Sequence, residues 1–441
     1  MDKLVIENSG PLRGSIPIGG AKNAALPILI SSLTCSGTHH FHNVPQLADI
    51  ESTLSLLGRI GCPSRVQMMD SGYGRRVEID TSRVAFSEAP YELVRKMRAS
   101  VLVLGPLLAR CGHARVALPG GCAIGVRPID QHLKGLEALG CSFELKGGYV
   151  EGRVERLRGA EINLSVPTVT GTENILMAAV LAEGDTVINN AAREPEVVDL
   201  VRYLRSMGAR IQGEGTSKLE IDGVPALRPA SSSFSIIGDR IEAGTYLLAG
   251  LISRGDVTVT GAPVTDMTAL LQKLRDVGAK VSVGEDWIRV QADGELHPMS
   301  IETAPHPGFP TDMQAQWMTA MSVLEGSCLV TEKIFENRFM HVAELSRLGA
   351  NIKIQGSSAQ VYGADSLTGA TVMATDLRAS ASLVMAGLVA NGQTEVLRIY
   401  HLDRGYEKLV EKIQTLGGSI VRVASHTQIP VGDVAQRIGT N

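Results

Sequence analysis

The sequence predicts an α/β protein built from six repeated units that divide into two domains of three. An apolar motif that ends in Gly recurs six times at intervals of about 70 residues, and a second series of glycines recurs between these in a fixed phase. Because Gly favours the left-handed residue at a helix C-terminus, each unit is predicted as helix, strand, helix and strands. The first series is Gly61, Gly140, Gly208, Gly278, Gly349 and Gly417, and the second is Gly37, Gly112, Gly184, Gly255, Gly326 and Gly392.

The individual elements follow from this phase. Apolar helices are expected at residues 28–33, 101–108, 175–181 and 246–252, each ending just before a glycine of the second series. Alternating runs such as 257–260 are expected to be strands. The periodicity is weakest near the Ser-rich, Pro-containing stretch 225–233, where we place a hinge between the two halves. A strand at 15–20 is expected to cross between the halves, because the first helix starts only after it.

Composition excludes several classes of function. With 42 Lys and Arg against 46 Asp and Glu, the net charge of −4 lacks the basic excess of a nucleic-acid binder. No apolar run approaches the roughly 20 residues of a membrane helix, and the N-terminus shows no leader, so we expect a cytoplasmic protein. The six cysteines form no Cys-x-x-Cys pair, which argues against zinc sites and disulfides; most should be buried hydrophobes.

Polar residues recur just before the first helix of each unit, and a second set precedes the second helices. Helix N-termini carry free N–H groups and partial positive charge, so several converging starts with Lys and Arg would bind anions without a large net charge. A single Arg at such a place is more often a solvated residue, and the recurrence is what favours a site. The first set is Lys22, Asn23, Arg98, Arg240, Asp312 and Arg378, with Val169 and Thr170 at the same phase of the third unit, and the second is Arg127, Arg338 and Arg404.

Eight segments resemble the UDP-N-acetylglucosamine enolpyruvyl transferases of the EPSP synthase-like family. They run in order along residues 1–424, which is more specific than one Gly-rich loop. The segments are residues 19–25, 96–100, 118–128, 192–196, 309–316, 336–341, 375–380 and 403–407. The resemblance implies an inside-out α/β barrel fold, with substrates closing a cleft between the domains. It implies a first domain at 21–236, a second at 1–20 plus 237–424, and a tail at 425–441 without assigned function.

The same resemblance implies the chemistry. The enolpyruvyl unit of phosphoenolpyruvate would pass to the 3′-hydroxyl of UDP-N-acetylglucosamine in peptidoglycan synthesis, with no cofactor or metal. Cys122 corresponds to the proton donor and would be alkylated by fosfomycin. Asp312 corresponds to the carboxylate that contacts the attacking hydroxyl, although a helix N-cap is the ordinary interpretation of a Thr-Asp pair. Lys22 and Arg404 complete the catalytic set.

The resemblance also implies the residues that bind substrate. The anionic groups of phosphoenolpyruvate would be bound by Lys22, Arg98, Arg127, Arg378 and Arg404, with Arg338 in the same network and Asn23 on the sugar. The nucleotide would contact Arg127, Pro128, Ile129, Asp130, Gln131, Thr168, Val169, Thr170 and Ile334. Val166 stands where some members have a Lys, which puts one phosphate contact in doubt. His132 is near this strip but is interpreted as a core or helix-surface residue.

Three alternatives remain at this stage. Enolpyruvylshikimate phosphate synthase shares the six-unit plan, but its acid is not a loop Cys. A six-unit clamp on DNA conflicts with the negative charge. A sugar-nucleotide binder without catalysis would bind without releasing phosphate. The oligomeric state cannot be inferred from the sequence.

Overall fold

A computed structural model of the chain describes residues 2–94, 97–118 and 129–424, with only the backbone of Arg98. Contacts between Cα atoms divide these residues into two compact units. The N-terminal unit comprises the described residues from 19 to 238, and the C-terminal unit comprises 2–18 and 239–424. Whether they correspond to the predicted domains, with a hinge at 225–233, stays a prediction.

The described residues form 24 strands. They are β1 (Lys3–Ile6), β2 (Arg13–Pro17), β3 (Thr38–Val44), β4 (Ser64–Met68), β5 (Arg75–Asp80), β6 (Glu88–Ala89), β7 (His113–Ala117), β8 (Ser142–Lys146), β9 (Tyr149–Arg153), β10 (Glu161–Asn163), β11 (Asp185–Asn189), β12 (Arg210–Gln212), β13 (Lys218–Asp222), β14 (Phe234–Ser235), β15 (Asp256–Thr260), β16 (Lys280–Val283), β17 (Trp287–Gln291), β18 (Ile301–Glu302), β19 (Ser327–Thr331), β20 (Asn351–Gln355), β21 (Ser358–Tyr362), β22 (Thr371–Met373), β23 (Thr394–Leu397) and β24 (Ile420–Val423).

The same residues form 13 α-helices. They are α1 (Lys22–Ser31), α2 (Ala48–Ile60), α3 (Tyr91–Val94), α4 (Leu104–Cys111), α5 (Asp130–Ala138), α6 (Val169–Ala179), α7 (Pro195–Ser206), α8 (Arg240–Ile252), α9 (Thr268–Val277), α10 (Gln314–Met321), α11 (His341–Arg347), α12 (Leu377–Val389) and α13 (Leu409–Thr415). Short 3-10 turns occupy Ser32–Thr34, Arg98–Val103, Val264–Met267, Thr311–Met313 and Ile399–Arg404.

Six four-stranded sheets share one pattern, in which an edge strand pairs in parallel and the next two pairings are antiparallel. In the N-terminal unit the orders are β14-β3-β5-β4, β6-β7-β9-β8 and β10-β11-β13-β12. In the C-terminal unit they are β2-β15-β17-β16, β18-β19-β21-β20 and β22-β23-β1-β24. Strands β1 and β2, although first in the chain, complete two sheets of the C-terminal unit. The predicted βαβαββ repeat is confirmed.

The first helix of each of the six repeats lies inside, and the sheets cover these helices. In α8 every residue from Ile241 to Ile252 is buried, and in α6 every residue from Gly171 to Ala179. Helices α8, α10 and α12 contact one another in the C-terminal unit, and α6 contacts both α1 and α4 in the N-terminal unit. A helix that is apolar on all sides must be buried on all sides, which explains helices inside and sheets outside. The N-terminal unit and the C-terminal unit each have their own apolar core.

The first glycine series is confirmed, since all six residues have positive φ at or next to a helix C-terminus. The second series is wrong at one position. In the repeat that begins with α8, the left-handed residue is Arg254, at φ 55°, and not Gly255. A Cβ on Gly255 would lie 2.1 Å from the carbonyl oxygen of Leu12, so glycine is needed there because two chain segments approach closely.

None of the helices in the described residues is long and apolar enough to span a membrane.

Candidate active site

Asp312 lies between two arginines in the C-terminal unit. Its Oδ1 accepts a hydrogen bond from Arg338 Nη2 at 2.7 Å, and its Oδ2 accepts from Arg378 Nη2 at 2.9 Å and Nε at 3.1 Å. Both guanidinium side chains are 5% exposed, whereas the carboxylate side chain is 27% exposed. Three predicted site residues therefore form one cluster, and its carboxylate is the most accessible member.

Helix starts assemble this cluster. Asp312 belongs to the 3-10 turn before α10, Arg338 lies just before α11, and Arg378 is in the first turn of α12. Asp376 caps α12 by accepting hydrogen bonds from the backbone N–H groups of Arg378 and Ala379. The N-cap interpretation of Asp312 is wrong, because Asp312 Oδ1 and Oδ2 both accept from arginine side chains.

The cluster fixes the charge of Asp312. Burial by itself would raise the pKa of this carboxyl, but the charges and hydrogen bonds of Arg378 and Arg338 hold it well below its usual value. The pKa of Arg378 is raised, because the nearby Asp312 carboxylate outweighs the effect of burial. Asp312 is therefore ionised at neutral pH and can accept a hydrogen bond or a proton but cannot donate one.

Arg378 also faces Tyr406. Its guanidinium carbon is 5.6 Å from the centre of the Tyr406 ring. The Tyr406 hydroxyl is 3.1 Å from Thr245 Oγ1 and 3.3 Å from Gln316 Nε2, and burial raises its pKa. Among the described residues, Arg378 Nη1 is buried without a hydrogen-bond partner.

Two further candidates belong to the same unit. Arg404 ends the 3-10 turn Ile399–Arg404 and is partly exposed. Burial chiefly lowers the pKa of His401, and the charge of Arg404 adds to the effect. Ile334 is partly exposed, and its backbone N–H donates to Glu332 Oε1 at 2.8 Å.

In the N-terminal unit Lys22 is paired with Asp49. Lys22 begins α1 and Asp49 lies in the first turn of α2, and Lys22 Nζ is 3.2 Å from Asp49 Oδ2. The two side chains are 11% and 5% exposed, so the carboxylate offsets the cost of burying the ammonium group. The next residue, Asn23, is exposed.

The predicted nucleotide strip consists of two segments joined by a side-chain amide. Asp130 and Gln131 begin α5, directly after Ile129. Gln131 Nε2 donates to Ser165 Oγ at 2.8 Å, and the Ser165 N–H donates to Gln131 Oε1 at 3.0 Å. Thr168, the N-cap of α6, accepts from the N–H of Gly171. The structure thus brings the start of α5 next to the segment that leads into α6.

A buried histidine makes a second link between the segments. Asn174 Nδ2 lies 3.0 Å from His132 Nδ1, and His132 Nε2 lies 3.2 Å from Thr170 Oγ1. Because an amide nitrogen is only a donor, His132 Nδ1 accepts and Nε2 carries the proton that points to Thr170. His132 is 3% exposed, so the core interpretation holds, and it orients Thr170. Val169 is partly exposed, and Val166 is 56% exposed.

Three of the predicted site residues, Cys122, Arg127 and Pro128, lie outside the described residues. Arg98 begins the 3-10 turn Arg98–Val103. Sequence reasoning missed Asp49, the partner of Lys22, because an Asp in the first turn of a helix is common for its favourable interaction with the helix dipole. It also missed Glu332, which gives no signal beyond the end of a strand.

Known proteins resemble this chain along most of its length. The family described as EPSP synthase (3-phosphoshikimate 1-carboxyvinyltransferase) matches residues 6–413. A UDP-N-acetylglucosamine 1-carboxyvinyltransferase of Anaeromyxobacter dehalogenans is 56% identical over 96% of this chain and 100% of its own length. One of the same name from Desulfosudis oleivorans is 55% identical with the same coverage. The chain belongs to the UDP-N-acetylglucosamine 1-carboxyvinyltransferase family.

Solved structures confirm the enolpyruvyl transferase fold for this member of the UDP-N-acetylglucosamine 1-carboxyvinyltransferase family. The enolpyruvyl transferase NikO from Streptomyces tendae superposes with a TM-score of 0.84 at 24% identity, covering 96% of this chain and 98% of NikO. An EPSP synthase from Acinetobacter baumannii superposes with a TM-score of 0.75 at 18% identity, covering 96% of this chain and 100% of its own. The predicted inside-out α/β architecture is therefore that of known enolpyruvyl transferases.

Proposed function

We propose that this protein transfers the enolpyruvyl group of phosphoenolpyruvate to the 3′-hydroxyl of UDP-N-acetylglucosamine and releases phosphate. The reaction is the first committed step of peptidoglycan precursor synthesis. One observation carries the proposal: the chain is 55–56% identical to UDP-N-acetylglucosamine 1-carboxyvinyltransferases over the whole of their length. The identity to an EPSP synthase structure is 18%, so shikimate 3-phosphate is the weaker candidate for the acceptor.

The reaction requires an acid, an acceptor for the hydroxyl proton and cations. The sugar oxygen adds to the central carbon of phosphoenolpyruvate while the methylene carbon gains a proton, and phosphate then leaves as a proton is lost from the new methyl group. We assign the acid to Cys122 and the contact with the attacking hydroxyl to Asp312. The low pKa of Asp312 supports this second role, because an ionised carboxylate can orient the hydroxyl from the start.

The cationic residues would bind the phosphate and carboxylate of phosphoenolpyruvate. Arg338 and Arg378 carry two positive charges against the one negative charge of Asp312, so their cluster keeps a net positive charge. This net charge supports binding of an anionic group at the cluster. Lys22 and Arg404 have the same proposed role, as do Arg98 and Arg127.

The nucleotide would bind along the start of α5 and the start of α6, with Ile334 as a further contact. The Gln131–Ser165 and His132–Thr170 hydrogen bonds support this assignment, because they hold the two segments in fixed register. A ligand that spans both segments then loses little conformational entropy in the protein. Val166, exposed and apolar, offers no charge to a phosphate.

The decisive test is phosphate release with alternative acceptors. Purified protein with phosphoenolpyruvate and UDP-N-acetylglucosamine should release phosphate stoichiometrically with the enolpyruvyl sugar nucleotide, and shikimate 3-phosphate should give no release. Binding of UDP-N-acetylglucosamine by calorimetry without any release would instead identify a binder without catalysis. Release with shikimate 3-phosphate alone would contradict the proposed acceptor.

A further inference from the structure

The carboxylate of Glu332, just after β19, collects hydrogen bonds from three segments of the C-terminal unit. Glu332 is 3% exposed. Its Oε1 accepts from Thr303 Oγ1 at 2.8 Å, from the Ile334 N–H at 2.8 Å and from the Phe335 N–H at 3.2 Å. Its Oε2 accepts from Thr311 Oγ1 at 2.8 Å. Both oxygens therefore act as acceptors, and the donors come from before α10 and from the loop after β19.

One path leads from Glu332 through a hydroxyl to Arg338. A threonine hydroxyl has one proton, and Thr311 donates it to Glu332, so the lone pairs of Thr311 Oγ1 are left to accept. Arg338 Nη1 lies 3.2 Å from this oxygen. The other terminal nitrogen of the same guanidinium, Nη2, holds Asp312 Oδ1 at 2.7 Å. Because a guanidinium is planar and rigid, fixing one nitrogen fixes the direction of the other.

A second path leads through the loop that follows Glu332. The Phe335 backbone is held by Glu332, and the Arg338 guanidinium carbon is 5.3 Å from the centre of the Phe335 ring. This distance is within the range of a cation–π contact. Ile334, the proposed nucleotide contact, is held to the same carboxylate oxygen as Phe335.

We propose that Glu332 is a positioning residue for the transfer reaction, which fixes Arg338, and through it Asp312, together with Ile334. The Glu332 carboxylate would then align Asp312, which contacts the attacking hydroxyl, with Ile334, which contacts the acceptor. The inference rests on the proposed function. A purely structural role would account for the two backbone hydrogen bonds, but it would not require the Thr311 hydroxyl to present its lone pair to Arg338.

Glu332→Gln disrupts one of the two paths, and the orientation of the new amide decides which. An amide has one acceptor oxygen and one NH₂ donor, so it cannot accept on both sides. With NH₂ toward Thr311, the Thr311 hydroxyl proton loses its acceptor, and Thr311 Oγ1 has to accept from the amide as well as from Arg338, so the fixed direction of the hydroxyl is lost. With NH₂ toward the loop, the Ile334 and Phe335 N–H groups lose their acceptor. In either orientation we expect kcat to fall about 10- to 100-fold, the effect of a small misplacement of reacting groups.

Thr311→Val removes only the hydroxyl path. We expect kcat to fall by at least about 10-fold while the KM for UDP-N-acetylglucosamine stays within about 2-fold, because the Ile334 contact is retained. Thr311→Ser keeps the hydroxyl and should restore kcat. Glu302→Gln is the matched control, since Glu302 is 56% exposed, pairs with Lys333 at 2.7 Å and has no contact with Arg338, and it should leave both constants unchanged.

The wild-type protein separates failure of this inference from failure of the proposed function, because it must first release phosphate with UDP-N-acetylglucosamine. With an active wild type, loss of kcat in Glu332→Gln and Thr311→Val and recovery in Thr311→Ser support the positioning role. Wild-type kcat in folded Glu332→Gln or in Thr311→Val overturns it. If Glu332→Gln does not fold, the Thr311→Val and Thr311→Ser pair decides by itself.

Discussion

At the scale of single residues, the Asp312 cluster shows how a site can carry a positive charge in a protein with a negative net charge. Two buried arginines surround it in a protein whose net charge is −4. The cost of burying each guanidinium is offset by the carboxylate between them. Removing that carboxylate should therefore affect stability as well as activity.

We expect Asp312→Asn to lower the free energy of unfolding by about 3 kcal/mol at pH 7, because it leaves two buried cations facing a neutral amide. The pKa of Asp312 in the folded protein lies below its ordinary value of 3.8, so its stabilising contribution is full above pH 3.8 and is lost as pH falls below it. Urea unfolding of both proteins between pH 7 and pH 3 measures this difference, which should shrink at the acidic end.

Asp256→Asn is the control for a surface ion pair. Asp256 accepts two hydrogen bonds from Arg289, at 2.7 Å and 2.6 Å, but Arg289 is 44% exposed. Exposed ion pairs contribute about 0–1 kcal/mol, so this variant should lose much less stability. Equal losses in Asp256→Asn and Asp312→Asn would contradict the account of the cluster.

Cysteine reactivity provides a second prediction at this scale. Burial raises the pKa of Cys35 and Cys62 to about 11 and that of Cys141 and Cys328 to about 12. Cys111 is exposed, but partial desolvation by the surrounding protein still raises its pKa. Since the thiolate is the reactive form, these five thiols should react slowly at neutral pH. Fosfomycin should then add once to the wild-type protein and not to Cys122→Ser.

Intact-mass measurement after incubation at pH 7 tests this expectation. Cys111→Ser is the matched control and should still gain one adduct, because it removes the only exposed thiol among the described residues. An adduct that persists in Cys122→Ser at the wild-type rate would rule out Cys122 as the target.

Sequence reasoning could identify residues at this scale, but not their partners. The phase of the repeat singled out Asp312, Arg338 and Arg378 because each lies near the start of a helix, and the structure brings the three together. The pairing of Lys22 with Asp49 could not be predicted, because it joins the starts of α1 and α2 across 27 positions of sequence.

At the scale of elements, glycines serve two different purposes that look alike in the sequence. Gly58 lies in the interior of α2, is exposed, and has nothing within 4 Å of an added Cβ. Gly255 precedes β15, and an added Cβ would lie 2.1 Å from the Leu12 carbonyl oxygen. Gly255 belongs to the second glycine series, so periodicity alone gave it the wrong explanation.

The pair gives opposite predictions for one substitution. Gly58→Ala should raise the free energy of unfolding by about 0.5–1 kcal/mol, because it removes conformational freedom from the unfolded chain in an unstrained helix. Gly255→Ala should lower it by about 1–3 kcal/mol or more, because backbone must move apart. Thermal or urea unfolding measures both, and stabilisation by Gly255→Ala would show that the approach of Leu12 is not tight.

At the scale of the whole molecule, local patterns predict the six units but not which strands complete each sheet. Strand β1 pairs with β23 and β24 in antiparallel register, and β2 pairs with β15, although hundreds of residues separate them in sequence. Short strands such as β14, with two residues, carry too little pattern to be recognised. Such pairings depend on tertiary packing, which hydrophobic periodicity does not encode.

The N-terminal unit and the C-terminal unit each contain a buried histidine with a lowered pKa, and these histidines should limit the stability of the protein at low pH. His39 in the N-terminal unit is 2% exposed, and its Nδ1 lies 2.6 Å from the Tyr203 hydroxyl. Burial, aided by the charges of Arg110 and His40, lowers its pKa to about 4. His341 in the C-terminal unit is 1% exposed, and burial likewise lowers its pKa to about 4.

Between pH 6.5 and pH 4 the unfolded chain binds a proton at each of these histidines and the folded protein does not. The free energy of unfolding must therefore decrease as the pH is lowered through this window, by about 1.4 kcal/mol per pH unit for each histidine. Relative to pH 7, each should cost about 2 kcal/mol at pH 5. Replacing His39 with Gln, which does not titrate, should reduce the slope of unfolding free energy against pH, whatever its effect on stability at pH 7. Equal slopes for the wild type and His39→Gln would show that His39 is not protonated on unfolding.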